Sequence, residues 1–147
     1  MLKKISIIFC SLLICLSAQA RLEGSVDSLH QHPGEVLSEK NTVFKLYTIK
    51  ETHLNTGTVI REYINKKKMV FALSWQGPII PDLQALLGTH FDSLKKESQR
   101  IPKAGRSALS VNRPEVIIHS AGHMRAFQGQ AWVPSLLPHG FSTDEIQ

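Results

Sequence analysis

Serine, histidine and carboxylate side chains that together could break an ester or amide bond are scattered along this chain. Such chemistry needs a nucleophile, a base within hydrogen-bond reach and a group that orients the base. Ser74 or Ser120 could serve as nucleophile, His123 as base, and Asp82 or Glu62 as the orienting group. The plainer reading has His123 donating to a backbone carbonyl in its own turn. His119 and His123 stand four residues apart, a zinc-like spacing. Ser120-Ala121-Gly122 between them reads as a turn rather than a helix, so the rings need not converge, and no third ligand stands out. His30-x-His32 lies in a polar loop, and two histidines do not complete a site. The chain has no phosphate-binding loop, no dinucleotide fingerprint and no Gly-x-Ser-x-Gly elbow. No metal and no cofactor is expected.

Binding is the other chemistry these residues offer. Arg61 is flanked by apolar strand positions, and Arg125 lies on an expected strand. Paired with a carboxylate such as Glu62, either would be structural. Unpaired in a groove, either would select an anionic ligand. Trp75 sits at a corner, as core or on the rim of a binding pocket, and His123 is a further binding candidate. Lys66-Lys67-Lys68 is the densest charge cluster. It reads as a solvated hairpin tip or as a weak contact for an anionic surface.

These residues hang on a short list of elements. Val43–Lys50, Thr58–Ile64 and Met69–Trp75 are β-branched and aromatic, and they read as three strands of an antiparallel meander. Asn55-Thr56-Gly57 supplies one turn and Asn65–Lys68 the next. The third strand should put Met69, Phe71, Leu73 and Trp75 on one bulky face. Pro78 and Pro81 then break the strand, and Leu83, Leu86, Leu87, Phe91 and Leu94 recur at helical spacing. The helix is expected over 81–100, with Pro81 at its first position and Asp82 in its first turn. Gly88 either ends a short helix or permits close packing in a longer one. A polar loop over 99–110 leads to a fourth strand, Glu115–His119, and a fifth, His123–Val133, with a bulge at Gly129.

Composition sets the address. Lys3 and Lys4, an apolar run from Ile5 to Leu16 and Ala18-Gln19-Ala20 make a secretory leader over 1–20. Both cysteines, Cys10 and Cys15, fall inside it, so the mature chain has no disulfide, thiolate ligand or cysteine nucleophile. Residues 21–40 read as a flexible, turn-rich segment and 41–147 as a single domain. Removing Lys3 and Lys4 from 17 basic residues leaves 15 against 12 acidic, a net +3. That mild excess, with export, argues against a nucleic-acid partner. The mature chain holds no transmembrane segment. Periplasmic or extracellular residence follows.

The assembled blocks resemble an uncharacterised, exported bacterial family known as domain of unknown function 2844. They are Gly57-Thr58 with Arg61-Glu62-Tyr63, Val70-Phe71-Ala72 with Trp75-Gln76-Gly77-Pro78, and Pro81-Asp82-Leu83 with Leu86-Leu87-Gly88 and Phe91. Gly122-His123-Met124-Arg125 with Phe127, Gly129 and Ala131 completes the set. The resemblance covers nearly the whole mature chain and implies location and architecture, not a reaction. The expected fold is α+β: about five antiparallel strands with one main helix, in the order β-β-β-α-β-β. The expected role is a non-enzymatic binding or assembly accessory of the bacterial envelope, with a protein partner there or outside the cell. The alternative is a small exported hydrolase with a histidine-centred site.

Overall fold

Short polar turns between β-branched runs build a meander, and here it is longer than five strands. The computed structural model describes residues 22–24, 36–100 and 108–147. The leader at 1–20 and the His30/His32 pair lie outside these residues. The elements are β1 (Val36–Val43), β2 (Tyr47–Leu54), β3 (Val59–Asn65), β4 (Val70–Gly77), α1 (Leu83–Leu87), α2 (Phe91–Arg100), β5 (Ala108–Asn112), β6 (Ile117–His123) and β7 (Ala126–Trp132). They form one seven-stranded antiparallel sheet in the order β1-β2-β3-β4-β7-β6-β5. The class is α+β with one main helical segment, as expected, but the sheet has seven strands rather than five and the order is β-β-β-β-α-β-β-β.

Both added strands are edges with little apolar alternation. β1 reads VLSEKNTV and is exposed throughout; its ladder with β2 makes it a strand. β5 is five residues long and lies partly in the expected polar loop. The expected strand Val43–Lys50 is in fact the end of β1 and the start of β2. The chain bends at Phe44–Leu46, where the Phe44 N–H donates to the Tyr47 carbonyl at 2.8 Å. Ser120-Ala121-Gly122 is not a turn but the continuation of β6, and the reversal comes later, at Met124-Arg125. Arg125, expected on a strand, occupies that reversal with φ 66°. The Asn55–Gly57 turn falls where its residues place it, closed by a Gly57 N–H to Leu54 carbonyl bond of 2.9 Å.

The helical segment covers one face of the sheet. Asp82 is its N-cap, with Oδ1 accepting from the Ala85 N–H at 2.9 Å, so Pro81 stands outside the helix rather than at its first position. Gly88, at φ 55°, ends α1, and one 3₁₀ turn over Gly88–His90 leads into α2. Leu86, Leu87 and Leu94 pack on Ile60, Leu73, Trp75, Val111, Ile118 and Ala131. Each leucine so buried contributes about 1.5–3 kcal/mol. Leu22 joins this core, and its N–H donates to the Leu86 carbonyl at 2.9 Å.

The chain after β7 covers half of the opposite face. Tyr47, Tyr63, Phe71, Ala72 and Trp132 meet Phe141 and Ile146 there. The Phe141 ring stands edge-on to Phe71, with centroids 4.9 Å apart, and to Tyr47 at 5.0 Å. The bulky face expected for β4 is therefore divided. Tyr63 pairs with Ala72 and Ile64 with Val70, which leaves Phe71 as the extra residue of a bulge. Leu73 and Trp75 face the helix, while Phe71 faces the chain after β7.

Candidate functional site

Strand register places one polar row across the whole sheet. Lys40, Glu51, Arg61, Ser74, Gln130, His119 and Ser110 stand directly opposite one another from β1 to β5. Residues two apart on a strand share a face, so this row adjoins the aromatic layer. Over β7, β6 and β5 the row lies open, while Ser74 on β4 is buried at its inner end. With a second row, Gln76, Gln128, Ala121 and Ala108, it floors a groove of about 340 Å³. Ile146 and Gln147 border the groove on the side of the aromatic layer.

The part of the polar row over β2 and β3 is closed by ion pairs. Arg61 Nε donates to Glu51 Oε2 at 2.7 Å, and Arg61 Nη1 to the Gln147 backbone oxygen at 3.0 Å. His53 Nε2 lies 2.9 Å from the other Glu51 oxygen. The His53 contact first, and Arg61 second, hold the Glu51 carboxyl below its usual value. In the groove, Ser74 Oγ donates to the Gln147 backbone oxygen at 2.5 Å. Ser110 Oγ and His119 Nδ1 are 3.0 Å apart, and the His119 ring rests against Trp132 with centroids 5.4 Å apart. Gln76, Gln128 and Gln130 extend three carboxamides into the same space, and none makes a side-chain hydrogen bond to another described residue.

The residues singled out from the sequence are only partly brought together. Ser74 is in the groove, but the histidine beside the nearest free serine is His119, with Ser110 as its partner. His123 is exposed at the far end of β6, opposite Ala126, and lines neither this groove nor the smaller cavity nearby. Two residues of strand separate neighbours on one face, so His119 and His123 are about 13 Å apart along β6. They cannot share one metal ion. Among the described residues no cluster of three or more His, Asp or Glu side chains has metal-binding geometry. Ser120 alternates to the other face of β6 and also borders a cavity of about 180 Å³ with Ser98 and Phe127. Trp75 is 2% exposed and packs in the helix-side core, so only its edge meets the groove. Arg61 is paired, and Arg125 is exposed in its turn.

Asp82 is used as a helix cap. Glu62 points to the helix side, 1% exposed, with both oxygens lacking a hydrogen-bond partner among the described residues. Burial pushes its carboxyl from 4.5 to about 7, against the pull of Lys50. Lys50, itself buried, spends its charge on Glu39 at 3.0 Å. Lys66, Lys67 and Lys68 form the exposed β3–β4 turn, where the Asn65 side chain accepts from the Lys67 and Met69 N–H groups.

The groove residues that the residue pattern did not single out are Ser110, Gln76, Gln128 and Gln130; His119 was weighed only as a metal ligand with His123. A signal for them existed. Ser74-x-Gln76 and Gln128-x-Gln130 place polar side chains at every second position, and such alternation marks one solvent face of a strand. Ser110 was hidden because β5 carries too little pattern to be read as a strand.

No helix among the described residues is long and apolar enough to cross a membrane. No curated protein and no solved structure matches the chain. The model of the family described as "Protein of unknown function (DUF2844)" matches residues 18–146, which is nearly all of the groove and both cores, and the chain belongs to that family.

Proposed function

We propose that this protein is a non-enzymatic binding accessory of the bacterial cell envelope, and that the β4–β7–β6–β5 groove is its binding surface. The observation that carries this is the cluster of three carboxamides, Gln76, Gln128 and Gln130, on the central strands β4 and β7, with no side-chain hydrogen bond to another described residue. Side chains held by paired strands keep their spacing, and a preorganised site binds more tightly than one that must order itself. The leader-like residues 1–20 support export to the periplasm or beyond. A direct test is capture from the organism's own envelope extract with wild type and Gln130→Leu side by side. A component retained by wild type and lost from a folded variant supports the proposal. Equal capture by both removes the groove from the function.

A second reading rests on the 3.0 Å contact between Ser110 Oγ and His119 Nδ1, a nucleophile–base pair in a small hydrolase. Hydrolysis of activated esters by wild type that Ser110→Ala and His119→Ala both abolish would establish it. Rates unchanged in either variant would dismiss it.

A further inference from the structure

We propose that the groove takes a neutral, polyhydroxylated ligand, a short saccharide chain, which rests on the binding reading above and names its ligand class. Three features of the groove lead there.

The first is charge. A fifth of the chain is Asp, Glu, Lys or Arg, yet none of the fourteen described residues around the groove is one of them. The row that floors the groove does carry charge elsewhere, as Lys40, Glu51 and Arg61, but those lie over the neighbouring strands, where Arg61 and Glu51 are consumed by each other. The Gln147 backbone oxygen at the border is already taken by Arg61 and Ser74. An anionic or cationic ligand entering the groove would lose water and find no countercharge among the described lining side chains, which is costly. A neutral ligand meets no such penalty.

The second is the type of hydrogen-bonding group. A sugar hydroxyl both donates and accepts. A carboxamide matches it, with an acceptor oxygen and two donor hydrogens held in one plane. Gln130 and Gln128 are two apart on β7, and Gln76 faces Gln128 across the ladder. Ser110 adds an exposed hydroxyl at one end of the inner row, while Ser74 at the other end is buried and bonded to Gln147. That row crosses four strands, a span of about 14 Å, so it offers a series of contacts rather than one.

The third is what the floor withholds. A peptide recognised through its main chain needs a strand edge with free N–H and C=O groups. Three of the floor strands, β4, β7 and β6, are paired on both sides, so their main chain is already bonded, and only β5, at the margin of the groove, has an unpaired edge in the sheet. A ligand across the central three meets side chains only. The CH faces of a sugar ring would lie on Ala108, Ala121 and the His119 ring, which rests against Trp132.

The test uses the full mature chain and a panel of neutral tri- to hexasaccharides of glucose and of N-acetylglucosamine. The chain has two tryptophans, and both report on the site: Trp75 borders the groove and Trp132 touches His119. Saturable quenching or enhancement of their emission, unchanged between low and high salt, is the expected result. Gln128→Leu and Gln130→Leu should each weaken binding about tenfold, the value of one lost hydrogen bond of ordinary strength. Gln128 is exposed, so its variant folds whatever Gln130→Leu does. If an envelope component is captured in a Gln130-dependent way while no neutral saccharide binds, the ligand class is overturned and the groove reading stands. Salt-sensitive binding of an acidic saccharide or a peptide at the same residues likewise overturns the ligand class and keeps the groove. If nothing binds and the variants match wild type throughout, both readings fall.

Discussion

The Trp75 indole fills the space beside Gly129, its directly opposite neighbour on β7, where any other residue would carry a Cβ. The glycine is thus part of the tryptophan's packing rather than a point of flexibility. A Cβ at Gly129 would also press on the His119 carbonyl at 2.8 Å. Gly129→Ala should destabilise the protein by about 1–3 kcal/mol, the cost of forcing a packed core apart. Combined with Trp75→Leu, part of that cost should vanish, because the two changes share one contact. Urea denaturation of the two single variants and the double variant measures this. An unchanged midpoint for Gly129→Ala contradicts the geometry.

Glu62 makes stability depend on pH. Its carboxyl titrates near 4.5 when unfolded and at about 7 when folded, because burial disfavours the charge. Between these values the folded chain holds a proton that the unfolded chain has lost. Stability therefore falls as pH rises through that window, by about 3 kcal/mol in all. Glu51 acts in the opposite sense and lower down: its carboxyl is held below 4.5, so what it contributes is present above 4.5 and lost on further acidification. Melting temperatures of wild type and Glu62→Gln from about pH 5 to about pH 8 separate the two effects. The wild-type curve should decline with pH and the variant's should be flat. Parallel curves would show that Glu62 finds a partner in solution.

Phe141 holds the aromatic layer together, being edge-on to Phe71 and Tyr47 at once. Phe141→Ala should cost about 2–4 kcal/mol and flatten the near-ultraviolet circular dichroism. Met124→Ala, at a side chain 90% exposed, should change stability by less than about 0.5 kcal/mol. A Phe141 variant as stable as the Met124 one would mean that the layer is dispensable.

The β3–β4 turn offers a separate surface. Lys66, Lys67 and Lys68 are all exposed and none is in an ion pair with a described residue. Cosedimentation with anionic vesicles at low salt should be lost on changing the three to glutamine and on adding salt, since exposed charges are screened within about 8 Å at physiological ionic strength. Vesicle binding indifferent to both changes would assign the attraction to another face.

Much of this architecture was legible because it repeats local rules. The β3 and β4 strands, the Asn55–Gly57 turn and the leucine stripe of the helix follow from alternation, turn residues and helical spacing. What escaped depends on pairing rather than pattern. β1 has no buried side of its own, and it is a strand because β2 needs a neighbour on that side. The bulge at Phe71 exists only in the register of β4 against Tyr63 and Ile64, so no inspection of MVFALSW alone divides its bulky face. The site shifted for the same reason. His123 looked like the reactive histidine because a turn was expected before it. Once β6 runs on through Gly122, the histidine brought to the centre of the sheet is His119.

The aromatic layer also sets a timetable. Tyr47 is bonded to Glu145, 98 residues later, and Tyr63 to Gln147, 84 residues later. Contacts so distant in sequence raise contact order, and high contact order slows folding. A chain that emerges amino end first can form the β1–β4 meander early, but one face stays uncovered until residues past Phe141 arrive. In that interval Tyr47, Tyr63 and Phe71 are open to proteases and to any holding chaperone. The aromatic layer is complete only once the final stretch is in place, and the same stretch gives the groove beside it a wall at Ile146 and Gln147.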